Sequence, residues 1–377
     1  MSNSKEKAVL SAKASSDHEA SQSLDSGTPK ALPSVGDAQE NEPRDPASAT
    51  FWNSEDSAET PDAEKINWPA PTTLNEREKA SLVWRVRGLI RTIRPHQWVK
   101  NVFVLAPVVF ATKLFDPILL TNAAIAFFAF CLLAGAVYTI NDLADVEADR
   151  LHPVKRDRPI ASGRVPENVA RIFSYFLVTV SLTASYFVSP LFAGAAAAYF
   201  ALNVAYTMRL KHVAYLDVAC ISAGFVLRVL GGGFATRIEV TWYLFVCTAL
   251  LALFLGFGKR RHELTTASAK AGKQRVALEG YTKGGLDAAL TITSVLTVGT
   301  YLKYTLDEAT IAFFRTSNLW PTTLFVILGV WRFLHIVRNR PQAESPTQEM
   351  LSDGPMVGIV LVWMGVIGWL VYHLQPS

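Results

Sequence analysis

Three aspartates, Asp142, Asp145 and Asp149, follow Asn141 in the run Asn141-Asp142-Leu143-Ala144-Asp145-Val146-Glu147-Ala148-Asp149. On a continuous helix, positions i, i+3 and i+7 share one face, so these carboxylates stack and repel one another unless a cation compensates them. Hard divalent cations take oxygen ligands and commonly share them with substrate phosphates. Asn141, Asp142, Asp145 and Asp149 are therefore candidate ligands for a Mg2+ ion that bridges a diphosphate. The competing reading is an acidic helix end paired with Arg150, Lys155, Arg156 and Arg158. The prolines and glycine of His152–Gly163 predict an ordered turn, which presents Lys155, Arg156 and Arg158 beside the carboxylates. Carboxylates for a metal and cations for phosphate oxygens are the parts that a phosphate leaving group needs.

Two later segments supply matching groups. One reads Tyr206-Thr207-Met208-Arg209-Leu210-Lys211-His212, with Asp217 shortly after it; the other reads Gly258-Lys259-Arg260-Arg261-His262-Glu263. Basic residues at helix ends on the cytoplasmic side are also what membrane topology alone produces, so each segment read singly divides evenly between anchor and ligand. Asp217 and Arg228 differ, because charges inside an apolar helix are costly and default to function. Eleven residues along one helix separate them, too far for a direct pair. His96, His212 and His262 show no metal-ligand spacing, and Cys131, Cys220 and Cys247 lie in apolar runs without disulfide or zinc spacing.

The elements that must position these groups are membrane spans. Half of the 377 residues are apolar, and nine stretches approach the roughly 20 apolar residues a span requires. They are 102–118, 121–140, 171–188, 190–208, 214–232, 241–258, 287–305, 319–337 and 356–374. The first is the weakest: Pro107, Lys113 and Asp116 interrupt it and suit a broken or tilted helix. Loops on one side of this arrangement hold 21 Lys and Arg residues, against two on the other. The positive-inside rule then predicts a cytoplasmic N-terminus, an external C-terminus and cytoplasmic chemistry. The expected fold is an all-α polytopic membrane helix bundle of nine transmembrane helices spanning 81–377. Residues 1–80 hold eight Lys and Arg against fifteen Asp and Glu, lack apolar periodicity, and are expected to be a disordered acidic tail. The membrane segment begins with 82–98, where Leu82, Val86, Leu89, Ile90 and Ile93 oppose Arg85, Arg87, Arg91 and Arg94. This predicts an interfacial helix on anionic lipid, whose basic end could also approach an anionic substrate.

The residues from about 85 onward resemble the UbiA-type intramembrane prenyltransferase superfamily, through Asn141-Asp142-x-x-Asp145-x-x-x-Asp149 after the second span. Arg94-Pro95-His96-Gln97-Trp98-Val99-Lys100-Asn101, the His152–Gly163 segment, Gly258–Leu264, Leu278-Glu279-Gly280-Tyr281 and Pro346-Thr347 resemble its decaprenyl-phosphate phosphoribosyltransferase branch. Ordinary members carry a second aspartate-rich motif after the sixth span, whereas this chain has Lys259, Arg260 and Arg261 with only Glu263 acidic. The resemblance therefore implies that the water-soluble sugar carries the diphosphate and that the lipid phosphate is the acceptor.

The same resemblance implies a Mg2+-dependent pentosyltransferase of the plasma membrane. It would move 5-phosphoribosyl from phosphoribosyl diphosphate to a polyprenyl (decaprenyl-like) phosphate, for lipid-linked pentose precursors of the cell envelope. Asp142, Asp145 and Lys211 are the expected catalytic residues. Lys100, Asn101, Lys155, Arg158, Tyr206, Lys211, Asp217, Lys259, Arg260 and Arg261 are the expected substrate-binding residues. Lys100 and Asn101 could hold the lipid headgroup and Lys259–Arg261 the 5-phosphate, or the reverse. The partners expected are the two substrates and the membrane, with no nucleic acid; a homo-oligomer is allowed. One rival is an aromatic prenyltransferase using a prenyl diphosphate donor. A transporter is the other, and it would instead predict charges near the membrane midplane or paired broken helices.

Overall fold

A computed structural model of the chain describes residues 82–269, 276–339, 350 and 352–373. The acidic segment 1–80 and the Pro346-Thr347 pair lie outside the described residues. Among the described residues every regular element is helical. In chain order they are α1 (Leu82–Thr92), a 3-10 stretch Pro95–Leu105, α2 (Ala106–Phe110), α3 (Pro117–Ala144), α4 (Val146–Leu151), α5 (Glu167–Val188), α6 (Pro190–Met208), α7 (Leu216–Thr236), α8 (Trp242–Ala269), α9 (Lys283–Leu306), α10 (Glu308–Phe314), α11 (Thr323–Asn339) and α12 (Gly354–His373).

Among the described residues, eight helices are long and apolar enough to cross a bilayer: α3, α5, α6, α7, α8, α9, α11 with the 3-10 turn Trp320–Thr322 before it, and α12. The expected count of nine is thus not confirmed. The interrupted stretch 102–118 is divided between the end of the 3-10 segment and the five-residue α2, not built as one helix. The residues that weakened it explain why. Asp116 caps α3, its Oδ1 accepting from the Ile118 and Leu119 backbone N–H groups at 2.9 and 3.1 Å, with Pro117 at the first helical position. Both are helix-start signals, so the chain turns before α3 and cannot run through.

The broken segment is nonetheless inside the bundle, packed between α3 and α7. Gly232 permits this, because a Cβ there would lie 1.9 Å from the Val104 carbonyl oxygen. Small residues let backbones approach where lipid gives helices no hydrophobic reason to associate. Two buried clusters fill the interior. Val104, Phe130, Leu133, Phe192 and Tyr199 join the 3-10 segment to α3 and α6. Val218, Phe254, Leu286 and Phe333 join α7, α8, α9 and α11. The outward side chains are apolar too: Phe115, Ile172, Phe187 and Trp331 are all well exposed. A lipid-facing surface explains that distribution, and the chain is a multi-pass membrane protein. The predicted amphipathic helix is present as α1, with Leu82, Val86 and Ile90 exposed. It stops at Thr92, since Arg94 adopts a left-handed conformation (φ 49°) ahead of Pro95.

Candidate active site at the mouth of the bundle

The acidic run does not form one continuous helix. α3 ends at Ala144, Asp145 sits at the junction with φ −98° and ψ 7°, and α4 restarts at Val146. Asp142 and Asp149 remain on one side of the junction, where Arg158 contacts both, and Asp145 stands apart from them. Asp142 and Asp149 turn inward and are 3 % and 2 % exposed, respectively. Asp145 is the accessible one, with its side chain 37 % exposed. Two arginines stand where the stacked carboxylates would otherwise repel. Arg94 Nη2 donates to Asp142 Oδ1 at 2.6 Å. Arg158 Nη1 bridges Asp149 Oδ2 at 2.6 Å and Asp142 Oδ1 at 3.2 Å. Arg94 also lies over the Tyr138 ring, 4.9 Å from its centroid. Its left-handed backbone is a conformation that costs on the order of 1–3 kcal/mol and is retained where neighbours over-determine it; the buried carboxylate is such a neighbour.

Around Asp145 the chain gathers groups from two other elements. Asn141 Nδ2 donates to Asp145 Oδ2 at 3.2 Å, and Lys211 Nζ lies 3.6 Å from Oδ1. Lys211 comes from the short 3-10 turn Leu210–His212 after α6. Tyr206 is half-buried near the end of α6, while Lys155 is exposed on the turn after α4. That turn is ordered as expected: His152 Nδ1 accepts from the backbone N–H groups of Val154 and Lys155, both at 3.2 Å. Among the described residues, no three His, Cys, Asp or Glu side chains come close enough to hold a metal by themselves. Asp142, Asp145 and the Asn141 amide are still hard oxygen donors. Both arginine contacts to Asp142 fall on Oδ1, so its second oxygen, with Asp145 and the Asn141 amide oxygen, fits an ion such as Mg2+, which takes one or two carboxylates and completes its shell with water and phosphate oxygens.

The basic cluster at the end of α8 is mostly committed elsewhere. Arg260, 2 % exposed, places Nε 2.7 Å from Asp217 Oδ2, and Asp217 is fully buried. This is a charge contact without an aligned hydrogen bond. Arg260 also pairs with Glu263. Asp217 Oδ1 accepts from the Tyr281 hydroxyl and, at 2.8 Å, from the Val218 N–H. The Tyr281 oxygen in turn accepts from the Tyr215 N–H at 2.7 Å. Burial and the Asp217 carboxylate together push the Tyr281 hydroxyl upward, so it stays a donor. Arg261 turns to α9 and meets Asp287 Oδ1 through Nε at 2.8 Å. Of the three cations, Lys259 is the accessible one, at 43 %, with its Nζ 4.0 Å from Glu263.

Lys100 and Asn101, on the 3-10 segment, have different places. Asn101 is buried and forms a link between elements: its Oδ1 accepts from Arg228 Nε at 2.7 Å, and its Nδ2 faces Cys131 Sγ at 3.2 Å. Arg228 further donates to the Tyr199 hydroxyl at 2.7 Å and to the Gly224 carbonyl at 3.0 Å. Among the described residues it has no carboxylate partner, Asp217 included. Lys100 stands near it. Desolvation in the mouth, then Lys259, Arg228 and Arg94 in that order, lower the Lys100 ammonium to about 8. Lys100, Lys259 and Arg228 thus gather positive charge close to one another. Sequence reasoning had not singled out Tyr281, Glu263 or Asp287 for any role. Glu263 was detectable as the i+3 partner of Arg260, whereas nothing local points from Asp287 to Arg261.

Residues 102–352 match the UbiA prenyltransferase family. This chain belongs to that family. Relatives in Mycolicibacterium smegmatis and Corynebacterium glutamicum, both named decaprenyl-phosphate phosphoribosyltransferase, are each 34 % identical to it over 76 % of this chain. The match covers 93 % of the former and 87 % of the latter. Among solved structures, a UbiA homolog from Archaeoglobus fulgidus bound to GPP and Mg2+ superposes with a TM-score of 0.57 at 18 % identity. That superposition covers 75 % of this chain and 98 % of that one. At that identity the likeness concerns the fold. The UbiA fold thus brings the acidic junction of α3 and α4, the Lys211 turn and the end of α8 to one mouth.

Proposed function

We propose that this UbiA-family protein transfers the 5-phosphoribosyl group of phosphoribosyl diphosphate to a polyprenyl phosphate at the cytoplasmic surface, releasing diphosphate. The observation that carries this reading is the end of α8. Where a prenyl-diphosphate enzyme of this family wants a second acidic motif, Lys259 faces the mouth together with Lys100. The acids nearby, Asp217, Glu263 and Asp287, are occupied by arginines. One acidic half-site and one cationic half-site match a substrate with a diphosphate at one end and a simple phosphate at the other. The names of the M. smegmatis and C. glutamicum relatives point the same way.

In this reading Asp142 and Asp145, with Asn141, would hold Mg2+, which when bound neutralises the diphosphate. Lys211, Lys155 and Arg158 orient that diphosphate and stabilise its charge as the C1–oxygen bond breaks, a task for fixed electrostatics. A phosphate oxygen of the lipid forms the new bond to C1 from the opposite face, with inversion. Because the acceptor is already an anion at neutral pH, no general base is required. Asp149 holds Arg158 in place without reaching the substrate, and Asp217, Arg260 and Tyr281 brace α7 against α8 and the 276–281 turn. Lys100 and Lys259 take the remaining phosphates. Asn101 positions Arg228 beneath them.

The test is a reconstituted assay in which purified protein in vesicles receives phosphoribosyl diphosphate, polyprenyl phosphate and Mg2+. A lipid-extractable phosphoribosyl product supports the proposal. No such product, with transfer to an aromatic acceptor from a prenyl diphosphate, would reverse it.

A further inference from the structure

A second cavity lies at the other end of the bundle. Its volume is about 540 Å3, and it opens between α2, the start of α8, the end of α9 and α10. From Cys247 on its wall to Lys259 in the mouth, α8 rises about 18 Å, so the two sites are separate. Trp242, Tyr243, Tyr304 and Phe313 supply aromatic walls, and Glu239 and Asp307 supply two carboxylates. Among the described residues, no lysine or arginine lines it. The Tyr243 hydroxyl donates to Asp307 Oδ1 at 3.1 Å, which leaves the second oxygen of that carboxylate for another donor. Glu239 makes no ion pair among the described residues. Lys303, one turn before Asp307, lines a neighbouring groove together with Asp307 and Glu308, and it makes no ion pair with Asp307 among the described residues.

Carboxylates combined with electron-rich ring faces recognise an ammonium group, by ion pairing and by cation–π attraction. The rim narrows the choice of ligand. Trp242 is 71 % exposed and Phe313 54 %, so the cavity opens sideways onto the surface that lipid covers. Trp and Tyr at the end of a span also mark the level of the headgroups. We propose that this cavity binds a phospholipid with a primary ammonium headgroup, phosphatidylethanolamine in chemical type. Its ammonium sits between Glu239 and Asp307, and an acyl chain lies against Trp242 and Phe313.

The experiment uses the full chain in detergent, with native mass spectrometry counting bound palmitoyl-oleoyl phosphatidylethanolamine and, separately, phosphatidylglycerol of the same chains. The wild type should retain one ethanolamine lipid in preference to the glycerol lipid. Glu239→Gln combined with Asp307→Asn should lower that preference about tenfold, with the melting temperature and the transferase turnover unchanged. Trp242→Ala should weaken both lipids alike and keep the preference. Equal binding of the two lipids by the wild type would overturn the proposal, as would undiminished selectivity in the double variant. Soluble phosphoethanolamine competing as well as the whole lipid would overturn it too, because the acyl chain would then contribute nothing. If the double variant fails to fold, exposed Glu239→Gln alone carries the same comparison.

Discussion

Breaking the buried pair between Asp217 and Arg260 should expose an asymmetry that the geometry dictates. Both side chains are essentially inaccessible, at 0 % and 2 %, and lie 2.7 Å apart. Removing one member of a buried pair costs about 3–5 kcal/mol, because the other charge is left uncompensated. Asp217→Asn leaves Arg260 with Glu263, so its cost belongs near the lower end, about 3 kcal/mol. Arg260→Met leaves two carboxylates behind, Asp217 and Glu263, and belongs near the upper end, about 5 kcal/mol. Replacing both, with Asp217→Leu and Arg260→Met, should recover part of the loss, since an apolar substitute for a buried pair is often near neutral. Reversible unfolding in mixed micelles, followed by circular dichroism, measures all three variants. If Asp217→Asn proves more damaging than Arg260→Met, or if the double variant equals the sum of the singles, the bracing role assigned to this pair is wrong.

Lys100 predicts a pH effect. Its folded value, about 8, lies below the ordinary lysine value of 10.5, so the charged form is disfavoured in the free enzyme. The ammonium is present below pH 8 and lost above it, so KM for the phosphorylated substrates should rise as pH passes about 8. Lys100→Arg, which does not titrate there, should flatten that limb; a limb unchanged in the arginine variant would remove Lys100 from phosphate binding. Asp145→Asn should lower turnover by about 10²-fold and raise the Mg2+ concentration needed for half-maximal rate, while full turnover at wild-type Mg2+ would exclude Asp145 as a ligand. Gly232→Ala places a methyl group 1.9 Å from the Val104 oxygen and should cost about 1–3 kcal/mol in the same unfolding experiment; a neutral result would mean the 3-10 segment is not wedged against α7.

Much of this was legible from residue types and spacing. The spans from α3 to α12 announced themselves by apolar length, and Pro107, Lys113 and Asp116 signalled that the first stretch would break. The acidic run pointed to the mouth, and Asp142 and Asp149, seven residues apart, do share a face, where Arg158 contacts both. Spacing alone could not show that arginines would occupy those two carboxylates and leave Asp145 as the accessible one. The basic run at 259–261 looked like three phosphate ligands. Two of those cations are spent on carboxylates far away in the chain, Asp217 and Asp287, and such pairings depend on helix packing that no local pattern encodes. Arg228 was recognisable as a costly intramembrane charge. Its partners, Asn101 and Tyr199, come from two other elements, so only the folded bundle identifies them.

The placement of the diphosphate is tested most directly by labelling the two ends of phosphoribosyl diphosphate differently, with carbon-14 in the ribose and phosphorus-32 in the β-phosphate. After incubation with the reconstituted protein, polyprenyl phosphate and Mg2+, carbon-14 should appear in the lipid fraction and phosphorus-32 in free diphosphate, in equal amounts. Retention of both labels in water, with diphosphate released instead from a prenyl diphosphate, would contradict the assignment of the diphosphate to the sugar.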